Sequence, residues 1–192
     1  MKKVFAISVI AICLSLLASV TTAYFTDQGT ARNVITAGAV KVTVVEQQET
    51  AGGLVDYPTD KITIMPGTTV SKTVSVRAEE ADAYVRMKYE ITVWDAEGKE
   101  MELDEQTLAS IVGITPDDEH WIQKDGWWYF IEALVGGKTT EPLFTEVVFS
   151  GPKMTNEYQK CTVEIHITAE AVQAANNGKT VWEAAGWSEE GR

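Results

Sequence analysis

Two histidines, His120 and His166, and two cysteines, Cys13 and Cys161, are all that 192 residues offer for soft-metal or nucleophilic chemistry. A zinc protease of the common kind needs two histidines one helical turn apart with a glutamate as general base, and no H-E-x-x-H is present. Asp117, Asp118, Glu119 and His120 crowd together, but without the alternating D-x-D-x-D-G spacing of a calcium loop. They read as a solvated acidic turn. Cys161 falls in the apolar row of an alternating segment, where a thiol behaves as a small hydrophobe. There is no G-x-S-x-G elbow, no glycine-rich phosphate loop and no dinucleotide fingerprint. A catalytic carboxylate pair cannot be singled out among 28 acidic residues. The residues argue against an enzyme, and no cofactor or metal is expected.

Aromatic chemistry is the stronger signal. Trp121, Trp127, Trp128, Tyr129 and Phe130 crowd one segment, WIQKDGWWYFI. Rings laid flat on a surface would bind polysaccharide, which would make the chain a glycan-binding module. Rings packed across strands would build a core or a subunit contact. Trp127 and Tyr129 share one face of the strand, and Trp128 and Phe130 the other. At least one set must therefore lie at a surface or under a loop. Packing is the preferred reading, with the candidate aromatic surface kept as the alternative.

The elements that would carry these rings are strands. Val40, Val42 and Val44 alternate with Lys41 and Thr43; Val74 and Val76 oppose Thr73, Ser75 and Arg77. In YVRMKYEITVW, Val85, Met87, Tyr89, Ile91 and Val93 point one way, Arg86, Lys88, Glu90 and Thr92 the other. In CTVEIHITAEA, Cys161, Val163, Ile165, Ile167 and Ala169 oppose Thr162, Glu164, His166 and Thr168. Period two over such lengths is the mark of half-buried strands. PLFTEVVFS and KITIM add two more, Asp125-Gly126 marks a hairpin, and Glu97-Gly98 a turn. DEQTLASIVG has helical spacing and a stop at Gly113, and GKTVWEAAGW offers a second helical turn or two. Residues 46–60 read as a loop. Many short strands with one or two short helices predict an all-β antiparallel sandwich, because a parallel α/β fold needs helices between strands.

The chain opens with Met1-Lys2-Lys3 and runs apolar from Val4 to Val20, followed by the small residues Thr21 and Ala23. This is the build of a secretory signal peptide, residues 1–23, cut between Ala23 and Tyr24. The apolar run is at the lower limit of roughly 17 residues for a spanning helix, and no basic stop-transfer cluster follows it. Sixteen basic against 28 acidic residues give a net charge of −12, and the leader takes two lysines with it. So acidic a surface repels nucleic acid, which is excluded as a primary partner. Cys161 alone remains after cleavage, so no internal disulfide can form. No L-P-x-T-G motif precedes the closing WSEEGR, and sortase anchoring is not expected.

Four stretches in order carry a family resemblance: AYFTDQGTARNVITAGAVKVTV, IMPGTTVSKTVSVRAEEADAYVRMKYEI, KDGWWYFIEALVGGKTTEPLFTEVVFSG, and VEIHITAEAVQAAN with WEAAGW behind it. Together they resemble the TasA/camelysin-type family of secreted bacterial biofilm matrix proteins, most of all its clostridial pilus-forming branch. The resemblance implies a jelly-roll-like sandwich over residues 38–192, exported past a dedicated type I signal peptidase to the matrix or surface of a Gram-positive cell. It implies self-assembly into fibres by donor-strand complementation, with residues 24–37 as the donor. An accessory matrix protein or cell-wall glycan is a further implied partner. Some relatives are described as metalloproteases, a weaker alternative that the two histidines do not support. The residues agree with a donor: Tyr24, Phe25, Val34 and Ile35 can anchor it, and Gly29 and Gly38 can hinge it. A loose terminus, or a first strand of the chain's own sandwich, would read the same way.

Secreted protein is expected to begin Tyr-Phe-Thr-Asp on N-terminal sequencing, and Ala23→Arg to block release. A mature chain that retains Met1, or one that starts beyond Gly29, would contradict both the cut and the donor assignment.

Overall fold

Alternation along the chain becomes two stacked sheets in a computed structural model, which describes residues 25–31, 35–36, 40–58, 62–64, 66–158 and 160–188. One sheet holds β3 (Val42–Thr50), β4 (Gly53–Asp56), β6 (Thr69–Ala78), β8 (Val112–Ile114) and β11 (Phe144–Phe149), in the order β4-β3-β6-β11-β8. The other holds β1 (Phe25–Ala31), β5 (Ile62–Ile64), β7 (Ala83–Trp94), β9 (Trp121–Lys124), β10 (Trp127–Phe130) and β12 (Thr162–Gln173), in the order β5-β1-β12-β7-β10-β9. A two-residue strand, β2 (Ile35–Thr36), also lies on β12. Every pairing is antiparallel except those of β1 and β2 with β12. The chain is an all-β sandwich of jelly-roll-like build.

Val163, Ile165, Ile167 and Ala169 of β12 meet Val85, Met87 and Val93 of β7 and Val74, Val76 and Phe144 of the opposite sheet in one core. Trp121 and Phe149 belong to the same core, and Tyr89 meets Phe144 edge-on at 5.7 Å. The short helix α1 (Glu105–Ile111) starts where the Asp104 carboxylate accepts the Thr107 N–H at 2.7 Å. It ends at Val112, ahead of the expected stop at Gly113, because Val112 is already extended and opens β8.

Two expectations are corrected. In the stretch 46–60 read as a loop, residues 46–56 form a hairpin instead: β3 continues to Thr50 and pairs back with β4 from Gln47↔Asp56 to Thr50↔Gly53, and residues 59–60 lie outside the described residues. The chain reverses at Ala51-Gly52, Gly53 enters β4 at φ 105°, and Thr50 Oγ1 donates to the Gly53 carbonyl at 2.8 Å. The second helical stretch, residues 178–187, is instead a chain of turns. Asn177 bonds both the N–H and the carbonyl of Ala185 at 2.9 Å, which closes a loop where a helix would have run on. Gly178 sits inside that loop at φ +83°, and a Cβ there would come within 2.8 Å of the Glu183 Cβ.

Lys72 shares the inward parity of Val74 and Val76 and is fully buried. Its ammonium lies 3.2 Å from Glu46 Oε2 and 3.7 Å from the centre of the Tyr57 ring, while Glu46 Oε1 has no hydrogen-bond partner. Opposite charges here meet in the interior, each with almost no exposed side-chain surface. Glu46→Ala, which strands the ammonium, is expected to cost about 3–5 kcal/mol in denaturant unfolding. Glu46→Leu combined with Lys72→Met is expected to cost far less, or nothing. Equal losses for the two would show that volume, not charge pairing, is what the site supplies.

Candidate functional site

β12 is the strand on which the N-terminal segment converges. One edge pairs with β7 over its whole length, from Thr162↔Trp94 to Gln173↔Ala83. The other edge takes β1 in parallel, from Thr26↔Thr162 to Ala31↔Ile167, and then β2, with Ile35↔Glu170 and Thr36↔Ala171. β5 closes the outer edge of β1 through Phe25↔Ile64, Thr26↔Thr63 and Asp27↔Ile62. Residues 25–31 thus lie as a strand between two strands of their own chain. Of the expected anchors, Phe25 opens β1 and Ile35 opens β2, while Ala23, Tyr24 and Val34 lie outside the described residues.

This joint has three physical properties. It is built from backbone pairing, which does not depend on a particular side-chain sequence. The core row beneath it, Val163, Ile165, Ile167, Ala169 and Ala171, is fully buried. And no hairpin ties β1 to its neighbours: β12 is at the other end of the chain, and β5 follows β3 and β4 in sequence. The strand can therefore leave its seat without unpicking a hairpin.

A second backbone edge is open on the far side of β7. β10 registers there only with Arg86 and Met87, and among the described residues no strand pairs with that edge at Tyr89 and Ile91. The edge borders a groove of about 290 Å³ lined by Leu108, Val112 and Ile114.

The aromatic hairpin is not the surface it could have been. Trp121, Trp127, Tyr129 and Phe130 are buried and Trp128 is half-buried, which corrects the candidate aromatic surface. Trp121 and Phe130 pack in the main core with ring centres 5.2 Å apart and planes tilted by 56°, and the Trp121 indole N–H donates to the Glu141 carbonyl. Trp127 and Tyr129 turn the other way, into a second small core with Tyr84, Val172 and Val181. The C-terminal segment, residues 174–188, covers it. The expectation that one set of rings lies under a loop describes these two.

At the centre of this outer core lies Arg86, which the alternation assigned to solvent. Its Nε and Nη2 donate to Glu170 Oε2 at 2.9 and 2.7 Å, Nη1 to the Tyr129 hydroxyl at 2.9 Å, and Nη2 to the Ser188 carbonyl at 3.1 Å. The guanidinium sits 4.2 Å from the Trp127 ring centre and 4.9 Å from that of Trp187. Ser188 Oγ donates to Glu170 Oε1. The sequence signal for this clasp was WEAAGW, an aromatic-rich stretch after the last strand.

The remaining chemical candidates stay apart. His120 Nδ1 lies 2.8 Å from Asp117 Oδ2, a contact that raises the imidazole pKa. Burial works to raise the pKa of Asp117, but hydrogen bonds from His120 and from the Glu119 and His120 N–H groups hold it below the usual carboxylate range. His166 stands on β12 opposite Glu90 and Thr30. Among the described residues no three His, Cys, Asp or Glu side chains are grouped to hold a metal. Cys161 is fully buried, its Sγ 3.6 Å from Met101 Sδ, and burial pushes its thiol up to about 11, so the nucleophilic thiolate is scarce at neutral pH. Among the described residues, no helix is long and apolar enough to cross a membrane. No family model, no curated protein and no solved structure matches the chain.

Proposed function

We propose that the chain is an exported structural subunit that polymerises outside the cell by lending residues 24–37 to the next copy, building fibres or pili of a biofilm matrix. One observation carries this reading: β1 is a terminal strand seated between β12 and β5 with no hairpin attachment to either. The same register made between two copies leaves every backbone pair intact. Such an exchange joins unlike surfaces, head to tail. Passed on in one direction with a rotation that does not close, it propagates as an open filament; a mutual swap would close as a dimer.

The energetics are those of a swap. Ladder hydrogen bonds worth roughly 0.5–1.5 kcal/mol each are lost in one copy and regained in the next. Anchoring side chains contribute roughly 1.5–3 kcal/mol apiece in either arrangement. What distinguishes the two is concentration, since a tethered strand meets its own seat at an effective concentration on the order of millimolar. Assembly is therefore favoured by crowding at the site of export, or by a filament end that presents its seat empty. In this reading the protein is not an enzyme and needs no cofactor. Its partners are further copies of itself and the signal peptidase that frees Tyr24.

A chain beginning at Gly38 is expected to fold but remain monomeric, and Val34→Asp with Ile35→Asp to behave likewise in electron micrographs. A synthetic peptide of residues 24–37 is expected to raise the Tm of the truncated body. Filaments from the truncated chain would overturn the proposal. A truncated monomer unmoved by the peptide would show that assembly uses another surface, the open edge at Tyr89 and Ile91 being the first to test.

A further inference from the structure

Where the C-terminal segment crosses the β9–β10 hairpin it leaves a cleft of about 210 Å³, lined by Arg86, Lys124, Asp125, Tyr129, Trp182 and Trp187 among others. Its walls are firmly built. Trp182 lies 5.2 Å from the Tyr129 ring at an interplanar angle of 46°, and Trp187 meets the same ring at 5.7 Å and 87°. The segment bearing both tryptophans is pinned by the Asn177–Ala185 bonds, by Glu183 Oε2 accepting the Lys179 N–H at 2.8 Å, and by the Arg86–Ser188 contact. Trp182 nevertheless stays 43% exposed, the only one of the two rings so open.

The polar groups at the mouth are unspent. Among the described residues neither the Lys124 ammonium nor the Asp125 carboxylate has an ion-pair or hydrogen-bond partner; Lys124 only lies over the Trp182 ring at 5.7 Å. Asp125 is held at φ 50° by the hairpin turn, which fixes where its carboxylate springs from. Arg86, deeper in, already has its charge answered by Glu170. The charges lining the cleft therefore cancel, which disfavours a strongly ionic ligand. Its rings rule out a purely polar one.

We infer that this cleft is a binding site for a neutral saccharide. A pyranose offers a C–H face to stack on the Trp182 indole and equatorial hydroxyls for the Asp125 carboxylate to accept and the Lys124 ammonium to donate to. The volume is below the roughly 300–1,000 Å³ of a drug-sized pocket, so it admits about one ring of a longer chain. The proposal is independent of strand exchange, since no residue of β1, β2 or β5 takes part. It gives a matrix or surface protein a way to hold polysaccharide, on rings other than those of the buried hairpin core.

The test is titration of the folded mature protein with cellotetraose and with chitotetraose, read by tryptophan fluorescence and by indole N–H chemical shifts. We expect a saturable change with at least one of them. Trp182→Ala should weaken it ten-fold or more, and Asp125→Asn or Lys124→Gln at least three-fold. Asn suits the left-handed turn position, and Ile122→Ala, on the same hairpin outside the cleft, should bind as the parent does. Absence of a saturable change up to about 10 mM, past the affinity expected of a one-ring site, would overturn the inference. Undiminished binding by Trp182→Ala would do the same, as would response only to a charged probe such as glycerol phosphate.

Discussion

A strand of twelve residues at the middle of a sheet needs hydrogen-bond partners along both edges, and β12 obtains them from β7 in the middle of the chain and from β1 and β2 far before it in sequence. β7 supplies one edge completely and in antiparallel register, which anchors the core rows of both strands against the second sheet. Among the described residues the other edge is satisfied by β1 and β2, parallel strands from the N-terminal part of the chain. Much of the molecule follows from this asymmetry. The β7 edge is part of the fold's interior and cannot be vacated without losing the core. The β1 edge is held by strands that no hairpin joins to β12, and a β-edge left unfilled over apolar residues would be a template for another chain. Under the strand exchange we propose, whether that edge is filled from within or from a neighbour decides whether the protein is a monomer or a link in a polymer.

The acidity of the chain acts on the same choice from a distance. A net charge of −12 repels like copies, and the repulsion is screened within about 8 Å at physiological ionic strength. It discourages unguided side-by-side aggregation of exposed apolar side chains such as Leu54 and Val55 on the edge strand β4. In the proposed exchange, short-ranged backbone pairing would be the attraction that overcomes it, so that acidity would favour specific joints over sticky ones.

The strands that make the sandwich were legible because each has one wet and one dry face. CTVEIHITAEA and YVRMKYEITVW appear as the longest strands, paired in full. What escaped was set by contacts between distant residues. Arg86 was read only as part of the face opposite the apolar row, and nothing local shows that Glu170, its registered cross-strand neighbour, joins it in a buried clasp under a C-terminal cover. Lys72 was hidden in the same way, since no local pattern reveals that Glu46 and Tyr57 meet it. The β3–β4 hairpin was missed because its short, glycine-containing second strand has no dry face at all: all four residues of β4, Leu54 and Val55 included, are exposed. For the candidate site, the sequence showed that residues 24–37 could be a strand but not what it would pair with. Parallel pairing between the two ends of a chain leaves no local mark.

The account rests on the partner of β12's free edge, and that partner can be identified covalently. Thr30 and His166 are registered neighbours in the β1–β12 ladder. Two preparations, both carrying Cys161→Ala, would bear Thr30→Cys in one and His166→Cys in the other, so that neither can crosslink its own strand. Assembled together under mild oxidation and analysed by non-reducing electrophoresis and mass spectrometry, they should yield disulfide-linked pairs joining one preparation to the other through residues 30 and 166. Filaments that form from the mixture without that crosslink would contradict strand exchange at β12.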